Sequence, residues 1–207
     1  MQRIAVRLTS MAGEIEFSLE FASTYSYPAA ARIEPEATKA GVTVAWRPFL
    51  LGPIFAAQGW TDSPFNLYPA KGAYMWRDLE RTCAEAGIPW KRPSAFPRGS
   101  LVGSRLAAIA RGESWVADFI RAVYHANFAQ DRAIDRDEVI VELLIDLGRN
   151  AQADLERAKS DTAKLTLRDA TTEAGQRGVF GAPSFFSGAE LFWGNDRLEA
   201  ALAQAQR

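Results

Sequence analysis

Strand-like patterns stand at the two ends of this chain and helical patterns fill its middle, and that order leaves few folds open. Residues 14–21, EIEFSLEF, place Ile15, Phe17 and Leu19 on one side and charged or small residues on the other, the period-two alternation of a half-buried strand. VTVAWRPF, residues 42–49, reads as a second strand closed by Pro48. PSFFSGAELFWG, residues 183–194, reads as a hairpin turning at Gly188. From about residue 73 to residue 174 the pattern is almost entirely helical, without repeats. A single sheet built from both ends, interrupted by a helical insertion, buries all of these faces with the fewest assumptions.

The segment between the first two strands, AAARIEPEATKAG, suits a helix ending at Gly41, so the chain opens β-α-β with a right-handed crossover between parallel strands. Pro28 fits the first turn of that helix, and Pro35 predicts a kink or break inside it. LLGPIFAAQGWTDSPFNLYPAKG carries too many breakers for one long helix and is a candidate pocket lining. GAYMWRDLERTCAEAG, GSLVGSRLAAIARGE, SWVADFIRAVYHANFAQ, RDEVIVELLIDLG and AQADLERAKSDTAKLTLRDATTEAG supply the helical block. NDRLEAALAQAQ closes the chain as a helix with Asn195 or Asp196 at its N-cap. The expected division is a loose leader over 1–13, a two-part α/β domain over 14–60 and 172–207, and an all-helical insertion over 61–171.

Composition removes several function classes. With 207 residues the chain can bury one sizeable core that the insertion shares. Its 24 Lys and Arg are interspersed with 25 Asp and Glu, so no basic stripe offers itself to nucleic acid. One Cys, Cys83, allows neither an internal disulfide nor a CxxC redox pair. One His beside that Cys excludes a Cys/His zinc site, and no DxD or EF-hand spacing points to another metal. No membrane-length apolar span and no signal-peptide h-region is present, so a cytoplasmic protein is expected; Met11 is an alternative start.

Four places carry residues suited to chemistry. In FASTYSYP a hydroxyl, Ser23 or Ser26, stands at the start of a helix beside free backbone N–H groups, where a thiolate or carboxylate is stabilised; by pattern alone a plain helix cap is the commoner case. In GVFGAPSFF, Pro183 must open its strand, and a cis Ala182–Pro183 bond would turn the Ala182 backbone toward a peptide-like ligand; a trans turn is the commoner case. In FWGNDRLE, Asn195 and Asp196 form a polar cluster at a helix start, fit for an α-ammonium and its carboxylate or for plain capping. Lys71 is the cation of an otherwise charge-poor loop and suits a ligand carboxylate, or solvent. Trp46, Trp60, Tyr74, Trp76 and Trp193 are either flat walls for an aromatic substrate or core. His125 reads as a helix-face residue.

Taken together and in order, FASTYSY, WRPFLLGPIF, YPAKGAYMWRDLER, GVFGAPSFF and FWGNDRL resemble the 2-hydroxychromene-2-carboxylate isomerases, relatives of kappa-class glutathione transferases and DsbA-like oxidoreductases. The resemblance covers the chain after about Glu14. It implies an α/β thioredoxin-like fold with a large helical insertion, a cis-proline loop, bound glutathione and a homodimer acting on a small aromatic carboxylate. It implies further that Ser23, where redox relatives carry cysteine, stands beside the glutathione sulfur and Ser26 at the second cysteine's place. Lys71 matches the lysine for the glycyl end, Asn195 and Asp196 the pair for the γ-glutamyl end, and Ala182 with Pro183 the backbone that pairs with the cysteinyl residue. Tyr25, Ser26, Trp60, Asn66 and Tyr74 fall near the substrate pocket. Thr24 stands where the family usually has Pro, Pro28 where a larger apolar residue is common, and Trp60 where kappa-class relatives have Asn; Asn66 is the nearby candidate to replace that amide. The other readings that fit are a kappa-like transferase making a stable thioether, and a thiol- or peptide-binding module without catalysis. Two hydroxyl residues at the redox positions leave disulfide exchange the weakest of all.

Overall fold

The computed structural model describes residues 13–207, so the expected leader and the Met11 start lie outside the described residues, apart from Gly13, which opens the first strand. β1 (Gly13–Leu19), α1 (Ser26–Ala40) and β2 (Val42–Pro48) form the opening β-α-β unit, and β1 and β2 pair in parallel from Gly13 opposite Val42 to Leu19 opposite Pro48. β3 (Ser184–Ser187) returns to the other edge of β1, antiparallel, with Phe17 opposite Phe185. β4 (Glu190–Trp193) completes the hairpin through a turn at Gly188, whose φ of 59° is the left-handed region that glycine adopts freely. The sheet order is β2-β1-β3-β4, so strands from both ends of the sequence make one sheet.

The connection after β2 breaks into α2 (Leu51–Ala57), α3 (Pro64–Leu67) and α4 (Pro69–Glu85). Lys71 therefore lies in the first turn of α4, not in a loop, because Pro69 provides a preset φ at the helix start. The helical layer continues with α5 (Leu101–Ile109), α6 (Val116–Phe128), α7 (Asp137–Asp146), α8 (Ala151–Lys159) and α9 (Asp161–Gln176). The stretch 151–175 is two helices, because the Ser160 hydroxyl caps the second by accepting the Ala163 N–H at 3.2 Å. After β4 a 3-10 turn, Asn195–Arg197, leads into α10 (Leu198–Ala205). No side-chain bond caps that start; the Asn195 amide oxygen instead accepts from Arg32 at 3.4 Å, which corrects the expected N-cap.

α1 runs unbroken through Pro35, so of the expected kink or break the break does not occur. Pro35 faces solvent, and Ala31, whose carbonyl it leaves without an N–H, is a partly exposed residue, so water can take the missing bond.

A continuous core joins the sheet to the helical layer: Ile15, Phe17 and Leu19 of β1 pack with Leu106, Phe119, Tyr124 and Ile140 from the insertion. Phe21 meets Tyr124 edge-on at 5.2 Å between ring centres, and Tyr27 stacks on Phe128 at 5.5 Å. Among the described residues no helix is long and apolar enough to cross a membrane.

Candidate active site

The turn from β1 into α1 is tied down before it reaches Ser23. The Glu20 carbonyl accepts the Ser23 N–H at 2.9 Å and the Tyr124 hydroxyl, from α6, also at 2.9 Å. Ser23, 8% exposed, then makes two bonds through one oxygen: it accepts the Ser26 N–H at 3.3 Å and donates to the Ala182 carbonyl at 2.8 Å. Ser23 thus serves the helix start as a cap would, although Tyr25 occupies the capping position and caps nothing with its side chain. The Ala182–Pro183 bond is cis, and the Pro183 carbonyl accepts the Gly194 N–H at 2.9 Å, which brings the Asn195–Asp196 turn against the proline loop.

On the other side, α4 presents Lys71, Tyr74 and Asp78 at i, i+3 and i+7, one helical face. Asp78 accepts from Tyr25 at 2.9 Å and from Tyr74 at 3.4 Å, so this face meets the entrance of α1. Burial, then the Asp78 carboxylate, push the Tyr25 phenol well up, which keeps it a neutral donor. Lys71 Nζ lies 5.9 Å from the Phe65 ring centre, and Phe65 lies 6.2 Å from the Tyr25 ring. Thr24, nearly fully buried, donates to Met75 Sδ at 3.1 Å and anchors α4 to the turn. Ser26 is fully buried, and its hydroxyl oxygen has no hydrogen-bond partner among the described residues.

The remaining sequence candidates lie elsewhere. Trp60 packs on Phe55 of α2 at 5.3 Å. Asn66 spends its amide N–H groups on the Asp62 carboxylate, at 3.1 and 3.2 Å, and on the Phe96 carbonyl at 3.4 Å. Trp46 is core against Phe17, and Trp193 packs at a tilt on Phe180, 4.8 Å between ring centres, with half its surface exposed. An open cleft of about 470 Å³ flanks α4 between Phe65, Asn66, Ala73, Trp76 and Arg92. His125 is exposed on α6.

Sequence reasoning missed Glu20 and Asp78. Asp78 was readable from its spacing to Lys71 and Tyr74. Glu20 was not, because alternation assigned it to the solvent face, whereas α5 and α6 cover it; burial raises its carboxyl to about 7 against the Ala22 N–H and the Ser100 hydroxyl, which pull the other way.

With that geometry in hand, the class of protein follows: residues 14–206 match the family described as the DSBA-like thioredoxin domain, and the chain belongs to it, as a thioredoxin-like α/β fold with a helical insertion. Solved structures agree, among them a probable DsbA oxidoreductase from Streptomyces coelicolor, TM-score 0.71 at 24% identity over 93% of this chain and 89% of that one. Within this class the chain groups with the 2-hydroxychromene-2-carboxylate isomerases. It is 32% identical to the one from Sphingobium xenophagum over 91% of this chain and 96% of that protein, and 28% identical to the one from Pseudomonas putida over 89% and 90%. A solved structure of a 2-hydroxychromene-2-carboxylate isomerase superposes with a TM-score of 0.83 at 27% identity, covering 92% of this chain and 95% of that one.

Proposed function

We propose that the protein is a glutathione-dependent isomerase of 2-hydroxychromene-2-carboxylate type, in which Ser23 stabilises the glutathione thiolate. The observation that carries this reading is the Ser23 hydroxyl at the start of α1, 2.8 Å from the Ala182 carbonyl beside a cis-proline. A thiol tripeptide fits that corner: its cysteinyl backbone pairs with Ala182, and its sulfur falls beside a hydroxyl and the positive end of α1, a helix of 15 residues. Asp196, exposed in the 3-10 turn, is suited to the γ-glutamyl ammonium, with Asn195 beside it, and Lys71 to the glycyl carboxylate.

Ser23 has one proton to donate, and the Ala182 carbonyl accepts it in a hydrogen bond. A hydrogen bond to a charged acceptor is worth about 1.5–3 kcal/mol against about 1 for a neutral pair, so a thiolate outcompetes the carbonyl for that proton. The ligand's cysteinyl N–H replaces the hydroxyl at Ala182, and no acceptor is left unpaired. Ser23 acts as a donor throughout and forms no covalent bond. Free thiols have a pKa of about 8.5, so stabilising the anion at neutral pH is the task of this corner. Glutathione held at this corner would supply a nucleophilic sulfur able to add to the conjugated substrate and leave it again, so that the ring opens and a bond rotates with no net consumption of thiol. The homodimer implied by the resemblance belongs to the same proposal.

Ser23→Ala tests it. Glutathione-dependent turnover of 2-hydroxychromene-2-carboxylate should fall at least tenfold, with an unchanged circular dichroism spectrum. Unchanged kinetics at saturating glutathione would refute the role, and a stable thioether product would favour the transferase reading.

A further inference from the structure

Glu20 is a carboxyl group at the end of a central strand, 8% exposed, and no cation hydrogen-bonds to it among the described residues. An isolated buried carboxyl is costly, so a fold that keeps one has a use for its acceptor capacity. Both of its bonds run toward the Ser23 turn or the helical layer that backs it. Oε1 accepts the Ala22 N–H at 3.2 Å and the Ser100 hydroxyl at 3.1 Å; Ser100 in turn lies 3.2 Å from Ser104 of α5. The backbone carbonyl of Glu20 holds the Ser23 N–H and the Tyr124 hydroxyl. One residue on, the Phe21 carbonyl accepts from Asn127 at 3.4 Å, and Asn127 is fixed by the buried Arg98 at 3.0 Å. The groups bonded to Glu20 are thus the Ala22 N–H, the hydroxyl of Ser100 just ahead of α5 and, at its carbonyl, the Ser23 N–H and the Tyr124 phenol of α6, while the Asn127 amide, held by Arg98, secures the next carbonyl along.

We propose that Glu20 is a positioning residue: by binding Ala22 and Ser100 at once it fixes the turn that aims the Ser23 hydroxyl between Ala182 and the ligand sulfur. Without that acceptor the Ala22 N–H and Ser100 hydroxyl are left to find other partners, and the turn between two anchored ends is free to rotate Ser23 away. Reactions that depend on a hydroxyl at a charged atom lose rate for displacements of about 1 Å, whereas ligand backbone pairing at Ala182, on a separate loop, is untouched. The effect therefore falls on kcat and not on KM for glutathione. This inference rests on the glutathione reading above.

The test uses Glu20→Gln, which keeps an acceptor oxygen without the charge, and Glu20→Met, which keeps the length without the acceptor, each alone and with Ser23→Ala. In Glu20→Met kcat should fall at least tenfold with KM for glutathione within threefold, while Glu20→Gln retains kcat within threefold. In the Ser23→Ala background Glu20→Met should cost less than a further twofold, because its effect runs through Ser23. Additive losses, or a glutamine that fails to rescue, overturn the proposal. If the methionine variant does not fold, Ser100→Ala decides from the other side: it should lower kcat about threefold with KM unchanged, and unchanged kcat overturns the proposal. Ultraviolet absorbance of the bound thiolate separates the two claims. Its absence in the unmodified protein refutes the glutathione reading and this inference with it; its presence, unmoved by any Glu20 variant that also leaves kcat intact, refutes this inference alone.

Discussion

Replacing Glu20 by Gln should change how stability depends on pH, by an amount the burial fixes. Carrying the carboxyl from its ordinary 4.5 to about 7 means that the folded protein holds a proton which the unfolded chain has released over that interval. Stability contributed by this group is therefore complete below pH 4.5, declines as pH rises toward 7, and is flat above. At 1.36 kcal/mol per pH unit the decline is about 3 kcal/mol. Carboxyls with lowered values, Glu16 and Glu113 among them, add their own pH dependence only below about 4.5, and the difference between the two proteins isolates Glu20. Glu20→Gln keeps the acceptor oxygen and removes the ionisation, so it should gain on the parent by about 3 kcal/mol between pH 4.5 and 8. Urea unfolding followed by tryptophan fluorescence at pH 5, 6, 7 and 8 measures this; with a slope of about 2–3 kcal/mol/M the midpoints should separate by about 1 M at pH 8 relative to pH 5. A difference that stays constant to within about 0.5 kcal/mol over that range would show that Glu20 does not titrate as a buried group.

Two further outcomes concern packing around the site. A Cβ on Gly72 would stand 2.2 Å from the Phe65 carbonyl oxygen, a backbone atom, so Gly72→Ala should push α3 off α4 and cost about 1–3 kcal/mol by urea unfolding. The Ser94 N–H, then the buried Arg98, hold the Asp131 carboxyl at about 2; by urea unfolding Asp131→Asn should lose about 2 kcal/mol at pH 7, and the loss should shrink as pH falls from 3.8 to about 2.

How far the sequence could be read depended on the range of the forces involved. β1, β2 and the hairpin were legible because alternation and turn residues are local, and β-α-β followed from them. Lys71 was misplaced because Pro69 marks a helix start as readily as a loop. Pro35 misled because the cost of a helical proline depends on whether its orphaned carbonyl meets water, which the local sequence does not state. Ser23 and Ala182 were singled out separately, yet nothing in either motif says that they meet; only the return of β3 to β1 joins them. Glu20 was hidden for a related reason. β1 is half-buried at its start but covered on both faces at its end, by residues some eighty to a hundred positions later, so alternation ceased to distinguish inside from outside where the site begins.

The two halves of the Ser23–Ala182 bond lie 159 residues apart. Closing a loop of that length costs about 4–5 kcal/mol of chain entropy on the (3/2)RT ln n scale, before any contact repays it. A chain emerging from the ribosome can pair β1 with β2 at once, but the opposite edge of β1 stays open until residue 187 has been made, with its backbone donors and acceptors available to any passing strand. The order of the sheet therefore sets a vulnerable interval in synthesis: every residue of the insertion is translated while the central strand lacks its second neighbour, and the corner that would activate a thiol is assembled only after that neighbour has been made.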